Sequence, residues 1–305
     1  MQKKDFLTLF EFPPEELRAI IELAVKLKNG RGISEKRVLN GKTAVLIFEK
    51  PSLRTRVTFE TAIHELGGYP ISLSSEAVGL DTRESVEDVA RALDGVAHLI
   101  VARTFRHDSV TRLASSCGIP VINALTDAAH PCQALAFGLT LHETRPHRKL
   151  NVLFAGDGNN VCRSIMVLCA KLGHKFTVAG PKGYEPHPET TEKCRKICAE
   201  TGGEIIITDN IREAVKDADA IYTDVWASMG QESEAEARKR VFPPYQVNAA
   251  LIAEAPQNVI ISHCLPAKRG EEITDEALDS PNSVAFIEAE NRLHVQKAVI
   301  TRLFS

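Results

Sequence analysis

Ser52, Leu53, Arg54 and Thr55 follow the apolar run TAVLIF and open a helical pattern, TRVTFETAIHELGG. The first turn of a helix carries unpaired backbone N–H groups and the positive end of the helix dipole, so it favours a negative ligand. Ser52 also suits the N-cap. Arg54 and Arg56 oppose that dipole, and an anion held between them removes the conflict. A capped helix with two solvated arginines is the plainer reading. Arg103, in VARTFRH, stands just after another apolar run. Ligands of open α/β sheets bind at such strand ends, although a lone arginine there is also an ordinary surface residue. In HPCQAL, Pro131 suits a first helical turn, which puts His130 at the cap and Gln133 one turn on. An imidazole and an amide on one face can polarise a carbonyl, and a His-Pro cap without chemistry fits the same residues.

Three further stretches have the same plan of an apolar run followed by a short polar loop. FAGDGNNVCRS (154–164) resembles a dinucleotide-binding turn, with Gly156 and Gly158 in place. The third glycine position is Cys162 or Arg163, and an arginine crowds the close helix–sheet approach. The two asparagines suit a polar, uncharged ligand better. DVWASMGQE (224–232) holds the single tryptophan, and Asp224 at a strand end could hold an ammonium group or simply cap a helix. SHCLPAKRGEEIT (262–274) gathers a His, a Cys and two cations. Its Pro and basic residues form no nucleophile elbow. No second ligand pair stands at metal-binding spacing. Cys117, Cys162, Cys169, Cys194 and Cys198 read as core or helix-face thiols.

The elements that must position these residues are legible as alternating patterns. Strand candidates are TAVLIF (43–48), HLIVA (98–102), PVIN (120–123), LNVLFA (150–155), FTVA (176–179), EIIIT (204–208), DAIYT (219–223) and NVIIS (258–262). Each is short and bounded by polar, Gly or Pro residues, as strands buried on both faces are. Helical patterns separate them; in PPEELRAIIELAVKLKNG, Leu17, Ile20, Ile21, Ala24 and Leu27 share one face that ends at Gly30. This alternation predicts an α/β protein with parallel sheets. The polar stretch ETRPHRK (143–149) marks a boundary between two similar α/β halves. The chemistry-bearing loops would face the crevice between them.

Composition narrows the function classes. The sequence is 44% hydrophobic and 25% charged with net charge −3, so an anion site must be local rather than a broad basic surface for nucleic acid or membrane. No apolar run approaches the roughly 20 residues of a membrane span. The N-terminus is too short and too acidic for a signal peptide. Seven cysteines without a C-x-x-C pair point to reduced thiols and a cytoplasmic setting.

Taken in order, FEKPSLRTR, HPCQAL, DVWASMGQE and HCLPAKRGEE resemble the signatures of the aspartate/ornithine carbamoyltransferase family over essentially the full chain. The S-M-G and H-C-L-P elements favour its ornithine branch. The resemblance implies two doubly wound parallel-sheet domains with the active site in the crevice between them. One is a carbamoyl-phosphate-binding domain over 1–145, with the helix 290–305 packing back on it; the other is an ornithine-binding domain over 146–289. It implies transfer of the carbamoyl group of carbamoyl phosphate to the δ-amine of L-ornithine, giving L-citrulline and phosphate in arginine metabolism. It also implies no metal or cofactor, and a homotrimer or a multiple of trimers. Ser52, Arg54, Thr55 and the amide of Leu53 would then hold the phosphate with Arg103. Arg103, His130 and Gln133 would polarise the carbamoyl C=O, and Arg292 would return to it from the last helix. Asn160, Asp224, Ser228 and Met229 would hold the α-amino and α-carboxylate ends of ornithine. Cys264 and the Leu265 carbonyl would lie near the δ-amine and the carbamoyl NH₂, with Cys264 and Asp224 as the family's proton relay.

Three positions depart from the family pattern: Leu53 replaces a Thr, Gly79 stands where a Gln reaches a neighbouring subunit, and Phe137 stands where an Asp is usual. Rival readings are a carbamoyltransferase for putrescine or an N-acylated ornithine, an NAD-linked dehydrogenase, and a ligand-binding relative without turnover. The intact DVWASMGQE, suited to a free amino-acid head, argues against the first.

Overall fold

A computed structural model of the chain describes residues 4–33, 37–228 and 232–305. It divides into two compact units, Met1–Leu139 with Glu290–Ser305, and Thr140–Ala289.

In the first unit, β1 (Thr43–Phe48), β2 (Tyr69–Ser74), β3 (Leu99–Arg103) and β4 (Val121–Leu125) form a parallel sheet in the order β2-β1-β3-β4. Its helices are α1 (Pro14–Asn29), α2 (Leu53–Glu65), α3 (Ser75–Val78), α4 (Val86–Asp94), α5 (His107–Ser116) and α6 (Pro131–Thr144), the last running across the division. The expected face of α1 is buried at Leu17, Ile20, Ile21, Ala24 and Leu27. Glu15 and Glu16 in its first turn and Lys26 and Lys28 in its last turn complement the dipole. Burying each large apolar side chain contributes roughly 1.5–3 kcal/mol, so packing fixes this helix more than propensity does. The core between sheet and helices includes Val45, Ile47, Ile100, Leu113 and Val121.

Strand β2 has no counterpart among the expected strands. It sits at the sheet edge and carries Pro70, which lacks an N–H. An edge strand bonds on one side only and tolerates such a residue, so the usual strand signal is weak. The neighbouring Gly79 has φ +60°, and a Cβ there would lie 2.8 Å from the Cβ of Arg83. A Gln at this position would strain the turn, which accounts for the departure. Phe137 is fully buried in α6.

In the second unit, β5 (Asn151–Ala155), β6 (Lys175–Ala179), β7 (Glu204–Thr208), β8 (Ala220–Thr223) and β9 (Ile260–His263) form a parallel sheet in the order β7-β6-β5-β8-β9. Its helices are α7 (Asn160–Leu172), α8 (Pro188–Thr201), α9 (Ile211–Ala214), α10 (Ala235–Val241), α11 (Ala249–Ile252), α12 (Asp275–Leu278) and the start of α13 (Ala285–Leu303), whose C-terminal part belongs to the first unit. Both sheets are doubly wound, because strand order reverses within each. The reversal falls between β1 and β3 in one unit and between β5 and β8 in the other. Loops after adjacent strands diverge there and leave a crevice at the strand C-termini.

Candidate functional site

Residues 52–55 and Arg103 lie at the C-terminal ends of β1 and β3, and Asn160, Asp224 and Ser228 follow β5 and β8, at the two switch points; His130 and Gln133 follow β4, Cys264 and Leu265 follow β9, and Arg292 lies on α13. In the first unit, Ser52 is the N-cap of α2, and its side chain accepts from the Thr55 N–H at 3.3 Å. Leu53 opens the helix with its side chain 74% exposed. The hydroxyl it lacks would have pointed to solvent, whereas its amide remains in the first turn. Thr55 is fully buried, and its Oγ1 accepts from Arg292 Nη2 at 2.5 Å and, more weakly, from Arg103 Nη1 at 3.5 Å. Arg103 ends β3 and Arg292 lies on α13, so one hydroxyl joins two guanidiniums from distant parts of the sequence. Arg56 pairs with Glu60 at 2.8 Å one turn along α2, both side chains partly exposed.

His130 and Gln133 are buried at the start of α6. Burial, reinforced by the charges of Arg292 and Arg103, pushes the His130 pKa well below that of a free imidazole. The ring is therefore neutral at physiological pH. Thr55, Arg103, His130 and Arg292 are spread over 237 positions of the sequence, and the fold brings the two guanidiniums within reach of the hydroxyl and the neutral imidazole.

The second unit builds a different site. Asp224, just after β8, is buried and accepts three hydrogen bonds. Oδ1 takes the Val225 N–H at 2.8 Å and the Cys264 thiol at 2.8 Å, and Oδ2 takes Asn159 Nδ2 at 2.8 Å. Asn159 cannot turn its amide round at no cost. Its Oδ1 caps α7 by accepting from Val161 N at 2.9 Å and Cys162 N at 3.0 Å. Asn160, singled out from the sequence, opens α7, and Ser228 is half-buried on the loop after β8. Met229 lies outside the described residues. Asn159, one of the two asparagines noted in the sequence, is thus the residue that ties the N-terminus of α7 to Asp224; its capping role follows from an Asn one residue before an apolar helix, whereas its bond to Asp224 has no sequence signal.

Cys264 is buried, and both burial and the adjacent Asp224 raise its pKa well above the ordinary thiol range. It is a thiol that donates to Asp224, not a thiolate. Its neighbour His263 is locked on both sides, with Nε2 2.9 Å from Glu272 Oε1 and Nδ1 accepting from the Leu265 N–H at 2.8 Å. Nδ1 must be unprotonated to accept, so Nε2 carries the proton and donates to Glu272. This contact holds Leu265 in a left-handed conformation, φ 53°. Asp224, His263 and Cys264 offer three ligand atoms within 4.8 Å of one another, a grouping that sequence spacing concealed. A metal would have to displace the Leu265 N–H from His263 and ionise a thiol whose surroundings oppose ionisation. The donor set fits a hydrogen-bonded network better than a metal site.

The Gly-rich turn after β5 serves the protein's own backbone. A Cβ on Gly158 would lie 2.2 Å from the Pro186 nitrogen, and the Gly158 N–H donates to the Tyr184 carbonyl at 2.8 Å. The loop before α8 therefore occupies the close approach that a pyrophosphate needs in a dinucleotide site, which argues against the NAD reading.

Two family profiles match the chain. The profile described as "Aspartate/ornithine carbamoyltransferase, carbamoyl-P binding domain" covers residues 4–143, and the "Asp/Orn binding domain" profile covers residues 148–303. The chain belongs to the aspartate/ornithine carbamoyltransferase family. Within that family it is 48% identical to an ornithine carbamoyltransferase of Thermococcus kodakarensis over 299 residues, 97% of this chain and 95% of that protein. It is 47% identical to one of Bacillus subtilis over 298 residues, covering 97% and 92%. Among solved structures of the family, ornithine carbamoyltransferase from Pyrococcus furiosus superposes with TM-score 0.95 at 46% identity, covering 98% of this chain and 96% of that one. The anabolic enzyme of Campylobacter jejuni gives 0.94 at 37% identity, covering 98% of each chain.

Proposed function

We propose that the chain transfers the carbamoyl group of carbamoyl phosphate to the δ-amine of L-ornithine, giving L-citrulline and phosphate. The carrying observation is a pair of chemically opposite sites, one at each switch point: guanidiniums gathered on Thr55, and the Asp224 carboxylate fixed by three donors. Family membership supports the same reading.

The phosphate is held by Ser52, Arg54, Thr55 and the Leu53 amide at the start of α2, together with Arg103. As the amine attacks, the carbamoyl oxygen gains negative charge. Arg103, Arg292, Gln133 and neutral His130 are the donors for it, and preorganised donors lower such a barrier. Asp224, Asn160, Ser228 and Met229 hold the amino-acid head of ornithine. An ammonium has no lone pair, and the δ-amine resembles lysine with a solution pKa of about 10.4, so the neutral amine must be selected or made. Cys264 contributes by fixing Asp224 rather than by accepting that proton, since its own pKa is driven upward. The departing phosphate is the natural acceptor. The carbonyl of Leu265, whose N–H donates to His263 Nδ1, receives the carbamoyl NH₂.

The protein works in the cytoplasm as a homotrimer. The described cysteines are all free thiols, as a reducing compartment requires. Apolar side chains at Leu53 and Val57 on α2, and at Tyr69 on the edge strand β2, are more than half exposed and offer an association surface. Light scattering should give three times the chain mass; a monomer would overturn the assembly.

One assay tests the reaction: citrulline formation from carbamoyl phosphate with ornithine, compared with carbamoylation of putrescine, N-acetylornithine and aspartate. Turnover confined to ornithine is expected, and none with ornithine overturns the proposal. Arg54→Ala should lower kcat/KM by about 100-fold or more, the order for one lost transition-state donor.

A further inference from the structure

Arg238 lies on α10, buried at 4% exposure. Its Nη1 reaches Asp157 Oδ2 at 2.9 Å and donates to the Trp226 carbonyl at 2.7 Å. Nε and Nη2 reach the Glu234 carboxylate at 3.0 and 2.9 Å. The guanidinium also lies over the Tyr184 ring, 4.8 Å from its centroid, and 5.8 Å from that of Phe242. Tyr184 packs edge-on against Phe242 at 4.9 Å, and Trp226 stacks on the same ring at 5.9 Å.

These partners come from three different loops at the strand C-termini: Asp157 after β5, Tyr184 after β6 and Trp226 after β8. Only a planar fork with five N–H donors and a stacking face can join all three. The two polar ends of the bridge flank the substrate-facing carboxylate. The Asp157 carbonyl accepts from the Asn159 N–H at 2.7 Å, and Asn159 in turn holds Asp224. Trp226 follows Asp224 by two residues. A buried ion pair returns little stability beyond its own desolvation cost, so its value lies in fixing geometry.

We infer that Arg238 is a positioning residue for the amine substrate. It locks the loop after β8 to the Gly-rich turn and thereby sets where Asp224 presents its carboxylate. This rests on the proposed function, which assigns Asp224 to the amino-acid head. Arg238 is placed to touch neither substrate.

The test uses the full chain with Arg238→Met, which keeps the stem, Arg238→Lys, which keeps the charge, and Asp157→Asn. Trp226 is the only tryptophan, so its emission and acrylamide quenching report the loop directly. Arg238→Met should red-shift and expose Trp226. It should raise the KM for ornithine at least about tenfold, the size of one lost hydrogen bond to a charged group. Carbamoyl-phosphate binding measured without ornithine should stay within about twofold, since Asp157, Tyr184, Trp226, Glu234 and Phe242, the partners of Arg238 among the described residues, all lie in the second unit. Arg238→Lys should recover part of the ornithine defect, and Asp157→Asn should reproduce it. An unchanged ornithine KM, or equal losses for both substrates, overturns the inference. If Arg238→Met does not fold, Asp157→Asn carries the same readouts at nearly constant volume. A wild-type chain that makes no citrulline would instead sink the proposed function, and Trp226 quenching would still decide whether Arg238 holds the loop.

Discussion

Asp224→Asn changes one atom type inside a closed hydrogen-bond set. The carboxylate takes donors on both oxygens, whereas an amide offers one oxygen and one NH₂. If the NH₂ faces Asn159, two donors meet where 2.8 Å now separates donor from acceptor. Turning Asn159 round puts its NH₂ against the Val161 and Cys162 N–H groups and removes the N-cap of α7, worth about 1 kcal/mol. If the NH₂ of residue 224 faces the other way, it meets the Val225 N–H instead. Each arrangement leaves a buried donor unsatisfied, at a cost of about 1–3 kcal/mol in stability. If Asp224 holds the substrate ammonium as proposed, losing the charge removes a further 1.5–3 kcal/mol or so from that contact, about 10- to 150-fold in kcat/KM for ornithine. Urea denaturation and citrulline assays measure the two effects separately. Adding Asn159→Asp supplies the missing acceptor and should restore stability to within about 1 kcal/mol of wild type without restoring activity. A single variant with unchanged stability and near-normal kcat/KM would refute the network. A double variant that regains activity would show that the hydrogen bonds, and not the charge at position 224, matter.

Cys264→Ala should lower kcat by no more than about tenfold, because it deletes one hydrogen bond to Asp224; a loss of 100-fold or more would make the thiol a proton-transfer group after all. The imidazole resonances of His130 should show no titration between about pH 6 and 9. Its folded pKa is depressed, so the unfolded chain binds the extra proton as pH falls below about 6.5, and stability should decline from there toward the folded pKa and be level above. A His130 titration midpoint at 6.5 in the folded protein would contradict its burial beside two guanidiniums. Gly158→Ala should destabilise by about 3 kcal/mol, since the new Cβ meets backbone 2.2 Å away rather than a movable side chain; an unchanged urea midpoint would mean that the loop before α8 yields freely.

Much of the fold was legible because the two sheets are buried on both faces. TAVLIF and EIIIT coincide with β1 and β7, and the other expected runs overlap their strands with ends shifted by one or two residues. The Gly158 signal is ambiguous in sequence for a physical reason. A missing Cβ marks a close approach without saying whether a cofactor or the chain's own Pro186 makes it. Arg56 likewise reads as half of an anion clamp, and only the structure shows its i,i+4 pairing with Glu60.

The sequence by itself determined the strand–helix alternation, the parallel sheets and the types of group at each loop, because these depend on local periodicity and on chemistry carried by single residues. Tertiary structure alone decided which of those groups act together. Thr55 meets Arg292 across 237 positions, Asp224 meets Asn159 across 65, and Arg238 reaches three loops at once. Such contacts follow from strand order at the switch points, and strand order is set by long-range packing that no local pattern records. The same holds for protonation: His130 and Cys264 are ordinary residues in sequence, and their shifted pKa values arise only from burial and from charges that folding delivers.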